Sequence, residues 1–121
     1  MTSPNFTALE AEALLRAAVI FKFDGGESAE VFSGSPHFAN SLTILLESIT
    51  SHYAVEGKSS KSKAWRETYR LSGNSERLEW VAHQAPTHPK WESLTDDEKR
   101  SWIDTLAAPY WLEDEDYARI C

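Results

Sequence analysis

Between Pro36 and Tyr53 the side chains Phe38, Leu42, Leu45, Leu46, Ile49 and Tyr53 recur every three or four residues. That spacing lines one side of an α-helix. Ser35 followed by Pro36 marks its start, because proline is preorganised for the first helical position and lacks an N–H the helix could not use there. The spacing predicts a helix from Pro36 to about Tyr53, and its apolar stripe must be covered by another layer of structure.

The remainder of the chain is enough for one such core and not for two. Of 121 residues 41% are apolar and 26% charged, and a domain of this size hides roughly two-thirds of the surface its open chain exposes. Residues 1–121 are therefore read as a single domain. Cys121 is the only cysteine, so no intrachain disulfide and no multi-cysteine zinc cluster can form.

Other segments are read by the same periodicities. Thr7 with Glu10 forms a capping-box pattern opening a first helix, continued by Leu9, Ala13 and Ala17. From Ala18 onward a helix would spread Val19, Ile20, Phe21 and Phe23 around its surface, whereas a strand would place Val19, Phe21 and Phe23 on one side. Ala18 to Phe23 is read as a strand, turning at Asp24-Gly25-Gly26 into a second strand over Ala29 to Ser33. Residues 64–84 admit two readings. As helices, Trp65 and Tyr69 pair at i,i+4 and Leu78, Val81 and Ala82 share a face. As a hairpin, Trp65, Tyr69 and Leu71 alternate with Arg66, Thr68 and Arg70, and a turn at Ser72 to Ser75 leads to Leu78, Trp80 and Ala82. The hairpin is preferred for its aromatic content, although it sets Glu67 on the core face. Pro86 and Pro89 make a loop, and Thr95 with Glu98 opens a helix to Ala107, stopped by Pro109.

These elements give an α+β expectation, in the order αββαββα, with an antiparallel sheet covered by helices. The alternative is an all-α bundle of four to five helices. Residues 56–63, Glu-Gly-Lys-Ser-Ser-Lys-Ser-Lys, are expected to be a flexible basic loop, and residues 113–121 an acidic C-terminal tail.

Charge divides the chain into three blocks. Residues 1–55 carry six acids and two bases, residues 56–91 four acids and seven bases, and residues 92–121 nine acids and three bases, for a total of −7. The net charge works against general affinity for nucleic acid. The chain starts without the basic and apolar stretch of an export signal, which leaves the Asn5-Phe6-Thr7 sequon unglycosylated and points to a soluble cytoplasmic protein. The longest apolar run, Ala17 to Phe21, is five residues, against about 20 for a membrane-spanning helix.

Motifs for chemistry are sparse. His83 and His88 lie five apart with no nearby cysteine, so no metal is expected. No Gly-x-Ser-x-Gly turn and no phosphate-cradling glycine loop occurs, and no cofactor is implied. Two surfaces remain. Tyr110, Trp111, Glu113, Asp114, Glu115, Asp116 and Tyr117 combine rings with carboxylates and suit a protein partner, since buried rings give affinity and rim charges steer encounter. Lys58, Lys61, Lys63, Arg66 and Arg70 form a basic stripe that could take phosphates or acidic side chains, with Trp65 or Tyr69 for stacking. The first expectation is thus a protein-interaction module, an inhibitor or adaptor. The second is a nucleic-acid-binding accessory protein, and the third an enzyme of unknown reaction.

Overall fold

The computed structural model describes residues 6–121; the stretch before Phe6, with Asn5 of the sequon, lies outside the described residues. Helix α1 runs Ala8–Asp24, α2 Glu27–Ser33, α3 Pro36–Val55, α4 Ser59–Thr68, α5 Ser75–Gln84, α6 Asp96–Ala107 and α7 Asp114–Ile120. Short 3₁₀ turns at Leu71–Gly73, Ala85–Thr87 and Trp91–Ser93 join α4 to α5 and α5 to α6. Among the described residues the only β-type pairing is an isolated bridge between Arg70 and Trp111. The chain is all-α, which overturns the α+β expectation and its antiparallel sheet and agrees with the helical alternative.

Local signals define three of the long helices. The Thr7 hydroxyl accepts from the Glu10 amide while the Glu10 carboxylate accepts from Thr7, and Thr95 and Glu98 repeat this box at the start of α6. Ser35 caps α3 through the Phe38 amide. At the other end of α3 the Lys58 amide reaches the Tyr53 carbonyl and the Gly57 amide that of Ala54. This closing motif needs a left-handed residue, supplied by Gly57 with φ +77°.

The segment read as a strand from Ala18 to Phe23 is the second half of α1. Ala11, Leu15, Val19 and Phe23 follow one another at i,i+4 and are all buried, so Val19 and Phe23 turn inward while Phe21 turns out. The capping box starts the helix and nothing before Gly25 stops it. Ala29 to Ser33, read as the returning strand, lies in α2, set off from α1 by Gly26 at φ +60°.

Residues 64–84 are likewise helical, not a hairpin. Trp65 and Tyr69 point inward at i,i+4, Leu78 and Val81 do the same in α5, and Glu67 is exposed. The aromatic content that favoured strands is tertiary packing. Trp65 stacks on Tyr69 at 6.4 Å, Tyr69 meets Tyr110 at 5.3 Å, and Phe23 meets Tyr110 at 5.4 Å and Trp80 at 4.8 Å, measured between ring centroids. This series of rings ties α4, the residues after α6, α1 and α5 together.

The expected loop 56–63 shrinks to a turn, because α4 starts at Ser59. Docking on α3 offsets the entropy of ordering it: the Ser62 hydroxyl donates to the Thr50 carbonyl at 2.8 Å, and the Lys61 ammonium lies 4.5 Å from the Tyr53 ring centroid. The C-terminal tail also folds. It forms α7, and Ile120 joins the same core as Leu15, Leu42, Ile49, Leu71, Val81 and Ile103. Each fully buried aliphatic chain of this kind contributes about 1.5–3 kcal/mol.

Candidate functional site

The two charged segments singled out in the sequence meet in space. After α6 the chain passes Tyr110 and Trp111 alongside the end of α4, where the Trp111 amide donates to the Tyr69 carbonyl and the Leu71 amide to the Trp111 carbonyl, both at 2.9 Å. The Trp111 indole Nε1 donates to the Arg66 carbonyl at 2.9 Å, and the Arg66 guanidinium lies 4.9 Å from the indole centroid. Arg70 Nε donates to Glu113 Oε1 at 2.5 Å, and its Nη2 forms an ion pair with the same oxygen. The stripe and the tail therefore satisfy each other in part.

The fold also divides the stripe. Lys61 faces Tyr53, Arg66 and Arg70 face the C-terminal segment, and Lys58 pairs with Glu56 at 3.7 Å. Lys61, Lys63 and Arg66 have no carboxylate within 4 Å among the described residues. Neither ring proposed for base stacking is free, since Trp65 and Tyr69 are both buried.

The tail residues separate into structural and exposed groups. Tyr110 is buried between Phe23 and Tyr69. Asp116 is 2% exposed, and its Oδ2 accepts from the Glu113 amide at 2.9 Å, closing the first turn of α7. Trp111 and Tyr117 are half-buried, while Asp114 and Glu115 are exposed. Acids in this first turn also suit the positive end of the helix.

Tyr110, Trp111 and Tyr117 of this segment wall a cleft of about 380 Å³ against α3 and Arg66. Trp111, Leu112 and Leu46 supply apolar surface, and Arg66, Glu47 and Asp104 supply charge. The Tyr117 hydroxyl donates to Asp104 Oδ1. Although Asp104 is open to solvent as a residue, desolvation of its carboxyl raises it above the usual carboxylate range, against the pull of the Tyr117 hydrogen bond and the Arg100 charge. Desolvation, followed by the Asp104 hydrogen bond, pushes the Tyr117 hydroxyl up. The proton of this pair stays on the tyrosine near neutral pH.

A second surface escaped the sequence reading. The outer side of α1 exposes Leu9, Ala13, Leu14, Ala17, Ile20 and Phe21, and α2 adds Val31 and Phe32. Ile20 is 60% and Val31 82% exposed. The Phe21 and Phe32 rings meet edge to face at 5.6 Å, so the patch is continuous from one helix to the next. Its signal in the sequence is the same spread of apolar residues around α1 that had favoured a strand. Helix α1 thus carries apolar side chains on its outer side as well as on its core face, with Glu10 and Arg16 among them.

Among the described residues no three His, Cys, Asp or Glu side chains gather as metal ligands. The His83 side is exposed, whereas the His88 ring packs 5.0 Å from that of Trp102 and its Nδ1 accepts from the Lys90 amide. No described helix is long and apolar enough to cross a membrane. Comparison of the chain with protein-family models, with curated proteins and with solved structures finds no match.

Proposed function

We propose that this protein is an interaction module, an adaptor or inhibitor that works by covering part of another protein. The observation that carries this reading is the continuous exposed apolar surface of α1 and α2, with Ile20 and Val31 standing well out of it. Single exposed apolar residues are ordinary, but a contiguous patch rimmed by polar groups marks a contact surface. The acidic and aromatic C-terminal region supports the same reading as a second contact, through Trp111 and Tyr117 in the cleft and the exposed Asp114 and Glu115 of α7.

The nucleic-acid alternative has less behind it. Arg70 is engaged by Glu113, Lys61 and Arg66 lie on rings of the protein itself, and Lys58 pairs with Glu56.

Affinity capture with the full chain, with and without nuclease, tests the proposal against an Ile20→Ser/Val31→Ser variant. The expected result is a stoichiometric protein that survives nuclease and is lost in the variant. Recovery of nucleic acid alone, or capture indifferent to both substitutions, would overturn it.

A further inference from the structure

The charges around the α1–α2 surface restrict what can cover it. Glu10 stands near the start of α1 beside Leu14, and Glu27 and Glu30 stand on α2 just beyond its end. None of the three has a cation within 4 Å among the described residues. Glu10 also accepts from the Thr7 amide, which holds its carboxyl below the usual range and keeps it ionised.

The neighbouring cations are turned elsewhere. Arg16, at the edge of the strip four residues before Ile20, is drawn over the Trp65 ring, 5.1 Å from its centroid. Lys22 is buried, and Arg77 forms a two-pronged pair with Asp24 at 2.8 and 3.0 Å. The apolar strip therefore has negative charge at both ends, Glu10 near the start of α1 and Glu27 and Glu30 on α2 beyond its end.

We propose that this surface docks an amphipathic helix of a partner protein, with an apolar stripe on Ile20, Phe21, Val31 and Phe32 and basic residues near both of its ends. The inference rests on the interaction reading above and names the partner's chemistry. Helix-in-groove recognition places anchors at i, i+3, i+4 and i+7 of the incoming helix, which matches a partner lying along α1. The lysines or arginines would meet Glu10 at one end and Glu27 and Glu30 at the other, setting direction and encounter rate.

The same charges argue against other covers. A two-fold pairing of α1 with a second copy would bring acidic end to acidic end whether the helices ran parallel or antiparallel. An anionic membrane or a nucleic acid would meet like charge.

Two synthetic 18-residue peptides test the proposal against the full chain, both with leucines at helical spacing, one with lysines at its ends and one with glutamates. Calorimetry gives the affinity, and the methyl signals of Ile20 and Val31 give the location. The lysine peptide is expected to bind and to shift both methyls, at least tenfold more tightly than the glutamate peptide. Ile20→Ser/Val31→Ser should weaken it at least tenfold with an unchanged circular dichroism spectrum. Glu27→Gln/Glu30→Gln should weaken it several-fold and flatten its salt dependence.

Equal binding of both peptides, or binding that ignores Ile20 and Val31, would overturn the inference. So would a concentration-dependent dimer that the Ile20→Ser/Val31→Ser variant abolishes, which would assign the face to a second copy. A protein partner captured through this face, with no binding of the lysine peptide, would remove the basic-helix assignment and leave the interaction reading standing.

Discussion

Arg66 and Trp111, 45 residues apart in sequence, hold each other twice: the indole N–H donates to the Arg66 carbonyl at 2.9 Å, and the guanidinium lies 4.9 Å from the indole centroid. This contact joins the basic segment to the acidic one. Charges that read as two outward-facing patches along the chain become in part an internal seam, with Arg70 and Glu113 beside it. The surface left uncovered is accordingly the apolar side of α1 and α2 together with the C-terminal cleft.

Two residues of α1, five positions apart, should respond very differently to truncation to alanine. Leu15 is fully buried and Ile20 is 60% exposed. Leu15→Ala is expected to cost about 2–5 kcal/mol in denaturant unfolding through lost burial and the cavity left behind, and Ile20→Ala within about 0.5 kcal/mol of zero. Similar costs at both positions would mean that α1 is covered on two sides.

Helix α7 should behave as part of the core. Ile120→Ala is expected to lower stability by about 2 kcal/mol, near the low end for a buried aliphatic truncation because the site adjoins the chain end. Removing residues 113–121 should lower it further and shift the amide signal of Arg70, which leans on this segment through Glu113. Unchanged melting after the truncation would refute the packing described for α7.

Lys22 makes stability depend on pH. Its ammonium is 2% exposed and donates to the carbonyls of Thr105 and Ala108 at 2.8 and 2.9 Å, at the end of α6. Burial lowers its pKa from 10.5 to about 7. Between those values the unfolded chain holds a proton that the folded chain has released, so stability rises with pH from about 7 to 10.5, by up to about 1.4 kcal/mol per unit. Urea unfolding at pH 7 and pH 9.5 should show this gain, and Lys22→Met should remove it. A slope that persists in Lys22→Met would assign it to other groups.

Tyr117 and Asp104 give a local readout of the cleft. The tyrosine hydrogen bond lowers the Asp104 pKa and opposes the larger effect of desolvation, which raises it. Tyr117→Phe should therefore move the Asp104 titration, followed by carboxyl carbon NMR, further upward. A downward move would contradict the hydrogen bond, and no move would mean that the two groups do not meet in solution.

How much of this was legible in the sequence depended on the range over which each signal acts. Thr7 with Glu10, Thr95 with Glu98 and Ser35 with Pro36 marked helix starts that the fold retains, because capping involves residues three or four apart. Trp65 and Tyr69 could be read as a strand or as a helix, since alternation and i,i+4 spacing both accommodate them. Contact with Tyr110, some 40 residues on, accompanies the helical arrangement. The Arg70 to Glu113 pair had no trace in either segment alone.

The amino-acid order by itself determined the local grammar of this protein: where helices begin, the stripe from Phe38 to Tyr53 that demands a core, and the alternation of acidic and basic blocks. Tertiary structure alone decided which side of α1 stays uncovered and which charges are spent on each other. The physical reason is that capping and periodicity are energies between near neighbours. Burial and ion pairing depend instead on residues that the chain brings together only when it folds.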